Sequence, residues 1–194
     1  TEAASVLKTC TCPNQLVACY EAYVTGGTFE ASEMKLCFPN RLEDIAVLAY
    51  FPHAWQAQYL LGCLYYDRMN YAAARTAWDE SARLNPDDAF TWRNLAQALY
   101  DHFGEKEEAR ACLEKALHLA PENARIVYEL LQLYKNINMP VKDRLAFLEA
   151  HAALARQRDD CFLDMIVLYM QEGRFEKARE LLLSKRFNIY EGGE

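Results

Sequence analysis

The feature that most constrains the fold of this chain is a pattern that recurs every 34 or 35 residues. Four pairs of adjacent residues mark its phase: Leu61-Gly62, Leu95-Ala96, Leu130-Leu131 and Met165-Ile166. Steps of 34 or 35 residues also relate three further positions: Tyr65 to Leu99, Tyr134 and Tyr169; Ala74 to Ala109, Asp143 and Ala178; Trp78 to Leu113, Phe147 and Leu182. A period of this length is typical of arrays in which each supersecondary unit buries its apolar face against its neighbours.

Each unit predicts a helix, a turn and a second helix. In the first unit, apolar residues recur with helical rhythm over 55–67, a turn follows near residue 69, and a second helix is expected over 71–84. Pro86 ends the unit because proline cannot continue a helix. We expect the small residues Gly62 and Ala74 to face each other where the two helices cross, with Tyr65 and Trp78 around them.

Composition favours an all-α protein and excludes several function classes. No stretch alternates Val, Ile and Thr over a length that would indicate a sheet. The formal net charge is −7, which makes nucleic acid an unexpected partner. No apolar run reaches the ~18 residues of a membrane span, and the N-terminus lacks the order of a signal peptide. Seven cysteines indicate free thiols in a reducing compartment, so we expect a cytoplasmic protein.

The pattern Leu-Gly-x2-Tyr, then Ala-x3-aromatic, then Pro resembles the tetratricopeptide repeat over residues 55–184. The resemblance implies a right-handed α-solenoid of about four helix pairs, with repeats near 55–88, 89–123, 124–158 and 159–184. Repeat two departs from the pattern by one extra residue, which we place in its turn around "DHFGEK". Repeat three carries Asn138-Met139-Pro140 in its turn and Asp143 where alanine is usual.

We divide the chain into an irregular helical N-terminal cap over 1–39, the solenoid over 40–184 and a tail over 185–194. Within the cap, a helix is expected over 14–24, ended by Gly26-Gly27. Asn40 and Glu43 have the spacing of a capping box, which predicts a helix over 41–50.

A narrower resemblance concerns the strings "FPNRLEDIAVL", "YELLQLYK", "RLAFLEAH" and "RFNIYEGGE". They look like the helical-repeat portion of a large bacterial family whose upstream β-rich domain is similar to carbohydrate-active, mutarotase-like sandwiches. The resemblance implies that this chain is one segment of a larger protein. No activity of that family maps onto residues present here.

Residues that could carry chemistry are scattered. The four histidines form no paired metal motif, and no glycine-rich loop follows a strand. Cys10 and Cys12 lack the short paired spacings of a zinc site, so we expect no metal and no cofactor. We therefore predict that the chain is not an enzyme; an activity hidden in the cysteine-rich first 40 residues would show itself as stoichiometric bound metal.

The resemblance to the tetratricopeptide repeat implies that the first helix of each repeat lines a concave groove. Carried over position by position, the groove residues that are aromatic or donate hydrogen bonds become the candidate binding site: Tyr59, Tyr66, Phe90, Arg93, Asn94, Gln97, Tyr100, Arg125, Tyr128 and Gln132. The same positions also hold Cys63, Asp67, Glu129 and Lys135, and in repeat four Asp160, Leu163, Asp164, Val167, Met170 and Gln171.

Tyrosine and arginine are frequent interface anchors, and Arg93 or Arg125 could pair a carboxylate bidentately. Alternatively, Asp67 and Glu129 neutralise these arginines within the chain, and the tyrosines pack between repeats. The family's carboxylate clamp is only partly matched, since Tyr59 and Cys63 stand where it uses Lys and Asn.

We therefore predict a non-catalytic interaction or scaffold module that binds a protein or peptide, or a domain of its own parent protein. A carbohydrate-related binding role is the alternative, because the same side chains could stack on and hydrogen-bond a sugar. Phe187 and Tyr190 in the tail are candidate docking residues. Dimers through the solenoid ends are a further expectation.

Overall fold

A computed structural model describes residues 15–29 and 38–187, and every regular element in these ranges is helical. The chain divides into two compact units, Thr1–Gly104 and Glu105–Glu194. The predicted cap residues 1–14 and 30–37 and the tail residues 188–194 lie outside the described part, and with them Cys10, Cys12, Cys37 and Tyr190. The predicted all-α class is confirmed.

The helix boundaries follow the predicted repeats. The N-terminal unit contains α1 (Gln15–Thr25), α2 (Glu43–Ala49), α3 (Trp55–Asp67), α4 (Tyr71–Leu84) and α5 (Ala89–Ala98), which continues as a π-helical stretch, Leu99–Phe103. The C-terminal unit contains α6 (Lys106–Leu119), α7 (Ala124–Asn136), α8 (Val141–Ala150), α9 (Ala152–Ala155), α10 (Asp159–Gln171) and α11 (Phe175–Leu183). Within each unit, consecutive long helices pack on each other.

The α3–α4 hairpin has the predicted boundaries, but its crossing is built differently from the expectation. A Cβ added to Gly62 would lie 2.3 Å from the indole Nε1 of Trp78, so the indole, and not Ala74, occupies the space above this glycine. The indole N–H donates a buried hydrogen bond to the carbonyl oxygen of Tyr59, at 3.1 Å. Gly62 is required here because the ring of Trp78 lies flat against the backbone of α3.

The extra residue of repeat two lies in its first helix and not in its turn. Each turn between paired helices contains one residue with positive φ: Met69, Gly104, Asn138 and Gly173, at steps of 35, 34 and 35 residues. The first helices begin at residues 55, 89, 124 and 159, so the helix of repeat two is one residue longer before its turn. The π-helical stretch absorbs this residue.

The predicted capping box of Asn40 and Glu43 does not form, because α2 begins after Leu42 with no side-chain hydrogen bond at its cap. The helix begins at Glu43, and the carboxylate of Asp44 accepts hydrogen bonds from the backbone N–H groups of Asn40 and Arg41, at 3.1 and 3.0 Å. The hydroxyl of Tyr20 on α1 donates to the same carboxylate at 2.6 Å. Asp44 is buried, so one carboxylate satisfies three donors where α1 meets α2.

The C-terminal unit repeats one polar contact at a step of 35 residues. The hydroxyl of Tyr134 donates to Glu114 at 2.9 Å, and the hydroxyl of Tyr169 donates to Glu149 at 2.8 Å. Each bond ties the first helix of one repeat to the second helix of the repeat before it. The recurrence places repeats three and four in the same register, as the sequence pattern predicts.

Among the described residues, no helix combines the length and the apolar character needed to cross a bilayer.

Candidate functional site

The first helix of repeat two presents a polar and aromatic face in the N-terminal unit. Phe90, Arg93, Asn94 and Gln97 lie three, four and seven residues apart, which places them on one side of α5. The side chain of Phe90 is 50% exposed, and Gln97 is also exposed. Four predicted residues are therefore brought together on α5.

Asn94 is held by its neighbours at the centre of that face. Its side-chain N–H donates to the Tyr59 hydroxyl at 3.4 Å and to the Cys63 sulfur at 3.6 Å, both on α3. Its amide oxygen lies 3.4 Å from Arg93 Nη1, which donates to it. The amide is thus oriented before any ligand arrives.

Tyr59 does not offer its ring to a ligand as predicted, because it is only 8% exposed and packs inside the unit. Burial raises the pKa of its hydroxyl, and burial also raises the pKa of the neighbouring Cys63 thiol to about 11. Both shifts favour the neutral forms near pH 7, so Cys63 lacks the lowered pKa that is typical of reactive cysteines.

Tyr66 is engaged by other side chains of the same unit. Its hydroxyl lies 3.1 Å from His102 Nε2, and the imidazole of His102 stacks on the ring of Tyr71 with centroids 3.4 Å apart. Burial raises the pKa of Tyr66. Tyr100, in the π-helical stretch, is half-buried. Tyr66 therefore has partners within the unit, whereas Tyr100 remains partly exposed.

In the C-terminal unit, the predicted cation of repeat three is neutralised within the chain. Arg125 Nε lies 3.0 Å from a carboxylate oxygen of Glu129, one helical turn away. This is the alternative that the sequence left open, and it leaves Arg125 less available to a ligand carboxylate.

The aromatic position of repeat three is covered as well. The guanidinium of Arg158 lies 5.0 Å from the ring centroid of Tyr128 and pairs with Asp160 through two hydrogen bonds, at 2.8 and 3.1 Å. These hydrogen bonds raise the pKa of Arg158. Gln132 donates to Asp164 at 2.7 Å. Tyr128 and Gln132 therefore already have partners within the chain, Arg158 at the start of α10 and Asp164 in its middle.

Helix α10 exposes an apolar stripe that the choice of candidate residues left out. Leu163, Val167 and Met170 are 41%, 46% and 50% exposed and lie at positions i, i+4 and i+7. All three occupy groove positions carried over from the repeat pattern. The choice favoured aromatic and polar side chains. The signal for this stripe was that three of the six groove positions of repeat four are apolar.

The tail residue Phe187 packs inside the C-terminal unit. Its ring stacks on Phe162 of α10 with centroids 6.1 Å apart. Lys185 beside it forms an ion pair with Asp159, which is 5% exposed. The segment that follows α11 is therefore held against the start of α10. Tyr190, the other predicted docking residue, lies outside the described residues.

Within residues 15–29 and 38–187, no three histidine, cysteine or acidic side chains cluster as metal ligands would.

Comparison with known proteins agrees with the repeat pattern. Residues 45–89 and 59–124 match a family model described as tetratricopeptide repeat. A crystal structure of MamA is 18% identical and has a TM-score of 0.61, covering 72% of this chain and 81% of that one. YrrB, described as a TPR protein with an unusual peptide-binding site, is 20% identical with a TM-score of 0.56, covering 72% and 75%.

The TPR domain of Arabidopsis OM64 is 17% identical with a TM-score of 0.52, covering 62% of this chain and 98% of that domain. At these identities the similarities show the fold alone. The helix-turn-helix units of residues 45–124 are thus similar to tetratricopeptide repeats in sequence, and the chain is similar to proteins of that type in fold.

Proposed function

We propose that this protein is a non-catalytic interaction module that binds a segment of another protein, or of its own parent protein. The binding surfaces are the uncovered faces of the first helices: Phe90, Arg93, Asn94 and Gln97 on α5, and separately Leu163, Val167 and Met170 on α10.

The observation that carries the proposal is the exposure of the α10 stripe. Three large apolar side chains lie one helical turn apart at about half exposure, whereas at the equivalent positions of α3 Tyr59 is buried and Cys63 and Tyr66 are half-buried. Exposed apolar patches of this kind mark contact sites, and methionine adapts to varied partner shapes. A partner side chain placed here would remove apolar area from water, at ~25 cal/mol per Å².

The face on α5 supplies the complementary polar part. Asn94 is already oriented by Tyr59 and Cys63, so its amide oxygen can accept a hydrogen bond from a peptide N–H with little further ordering. Phe90, one turn before Asn94, adds an aromatic contact. Tetratricopeptide-repeat proteins are protein-interaction scaffolds, and the printed description of YrrB names a peptide-binding site, which supports the class of ligand.

The location that we propose is cytoplasmic. Cys19, Cys63 and Cys161 are free thiols, and a reducing compartment keeps such thiols free.

The test is site-specific photo-cross-linking in cells. A benzophenone amino acid replaces Phe90 in one variant and Val167 in another. Matched controls carry it at Thr76 and Lys142, which are exposed on the second helices α4 and α8. We expect one discrete cross-linked partner segment from the two first-helix positions and none from the controls. Equal capture from all four positions would contradict the proposal, and so would no capture at all.

A further inference from the structure

We infer that a cleft between α7, α8 and α10 of the C-terminal unit binds the carboxylate of an acidic peptide. The inference rests on the proposed function, and it names the chemistry of the ligand and a site that differs from the predicted arginines. The cleft has a volume of about 50 Å³, and its lining residues are Leu131, Lys135, Arg144, Asp164, Val167, Leu168 and Gln171.

The two basic residues of this cleft are not neutralised within the described structure. Arg125 pairs with Glu129, and Arg158 pairs with Asp160, but no described carboxylate forms an ion pair with Lys135 or Arg144. The Nε of Arg144 donates to the carbonyl oxygen of Met139 at 3.0 Å, which orients the guanidinium. Two cations from different helices, neither in an ion pair with a described carboxylate, therefore line one concavity.

The third charge of the cleft is the carboxylate of Asp164. One of its oxygens accepts a hydrogen bond from Gln132 at 2.7 Å, which holds it on the α7 side. The lining thus carries two positive charges and one negative charge, which leaves a net attraction for an anion. The volume exceeds the ~10–15 Å³ that a site needs to hold one water molecule, so it admits a carboxylate group but not a larger anion such as a nucleotide.

Apolar side chains continue from the cleft along α10. Val167 belongs both to the cleft lining and to the exposed stripe with Leu163 and Met170. A ligand that places a carboxylate between Lys135 and Arg144 would therefore set neighbouring apolar side chains on this stripe. The occupant with this chemistry is a peptide segment in which Glu, Asp or a C-terminal carboxylate is flanked by apolar residues.

The experiment compares two capped tripeptides that differ in one charge: acetyl-Leu-Glu-Leu-amide and acetyl-Leu-Gln-Leu-amide. Each is titrated into the full chain, and binding is followed by NMR through the side-chain Nε–H of Arg144 and the methyl groups of Val167. We expect the Glu peptide to shift these signals and to bind at least about fivefold tighter than the Gln peptide, as one weakly screened ion pair would give.

The key variant is Lys135→Met, since Arg144 also holds the carbonyl of Met139. It should abolish the preference for Glu, whereas Lys142→Met, which removes an equal charge from exposed α8, should leave the preference intact. Equal shifts for the two peptides, or equal effects of the two variants, would overturn the inference. Shifts confined to Phe90 and Asn94 would overturn carboxylate binding in the cleft but would support a peptide-binding function. No shifts at all would also overturn carboxylate binding in the cleft. In that case the cross-linking experiment decides whether the proposed function holds.

Discussion

Replacing Gly62 with alanine tests how α3 and α4 pack. The added Cβ would lie 2.3 Å from Trp78 Nε1, well inside van der Waals contact, so the indole must move. Overpacking of this kind costs about 1–3 kcal/mol, and a buried indole N–H that loses its acceptor, here the carbonyl of Tyr59, costs about 1–3 kcal/mol. Alanine returns about 1 kcal/mol through its higher helix propensity. We expect the free energy of unfolding to fall by roughly 1–5 kcal/mol.

The assay is urea unfolding followed by circular dichroism at 222 nm, with Trp78→Leu as the matched background. In repeat two, the residue equivalent to Trp78 is Leu113, and the residue equivalent to Gly62 is Ala96. Without the indole, Gly62→Ala should stabilise the protein by up to about 1 kcal/mol, because only helix propensity remains. A loss of stability of the same size in both backgrounds would refute the reasoning, as would no loss in the natural sequence.

Three further predictions concern buried or paired groups. Lys185→Met should lower the free energy of unfolding by about 1–3 kcal/mol, because the carboxylate of Asp159, which is only 5% exposed, loses this ion pair. The double variant with Asp159→Asn should recover part of the loss. Burial raises the pKa of the Cys63 thiol to about 11 and that of the Cys161 thiol to about 12. In site-resolved alkylation at pH 8, both thiols should therefore react slowly until urea unfolds the chain. Equal alkylation rates in folded and unfolded protein would contradict this. Hydrogen bonds from Tyr169 and Arg174 lower the pKa of Glu149, so the folded state binds a proton at this carboxylate less tightly than the unfolded state does. The stability that Glu149 contributes is therefore lost as pH falls below about 4.5. In the Glu149→Gln variant, the free energy of unfolding should fall less steeply between about pH 5 and 3.

The repeat pattern predicted the α3–α4 hairpin to the residue. Asn70 begins α4 as its N-cap, accepting from the backbone N–H of Ala73, and Asn85 and Pro86 follow its end, so local chemistry fixes both boundaries. The sequence also showed that repeat two has one extra residue, but not where in the repeat that residue lies. An extra residue can lengthen a turn or a helix, and the choice of a π-helical stretch over 99–103 depends on packing that spacing alone does not encode.

Several side chains at the predicted groove positions are exposed, but the sequence did not show which of them are engaged by other side chains of the chain. The groove positions of repeats two and four do carry exposed side chains, as Phe90 and Val167 show. Which cations stay unpaired could not be read from the sequence. Glu129 lies one turn from Arg125 and could be foreseen, but the partner of Tyr128 comes from Arg158, 30 residues away. The cleft at Lys135 needs the second helix α8 of the same repeat, which a list of first-helix positions omits.

The measurement that tests the central claim most directly is the affinity of the partner segment cross-linked from residue 90 or 167, determined by calorimetry. It is compared between the natural protein, Phe90→Ala, Val167→Ser and the control Thr76→Ala. Truncated interface anchors cost more than about 1 kcal/mol, so the account predicts at least about fivefold weaker binding for at least one of the two first-helix variants and an unchanged affinity for the control. Unchanged affinity in both first-helix variants, with folding intact, would contradict the account.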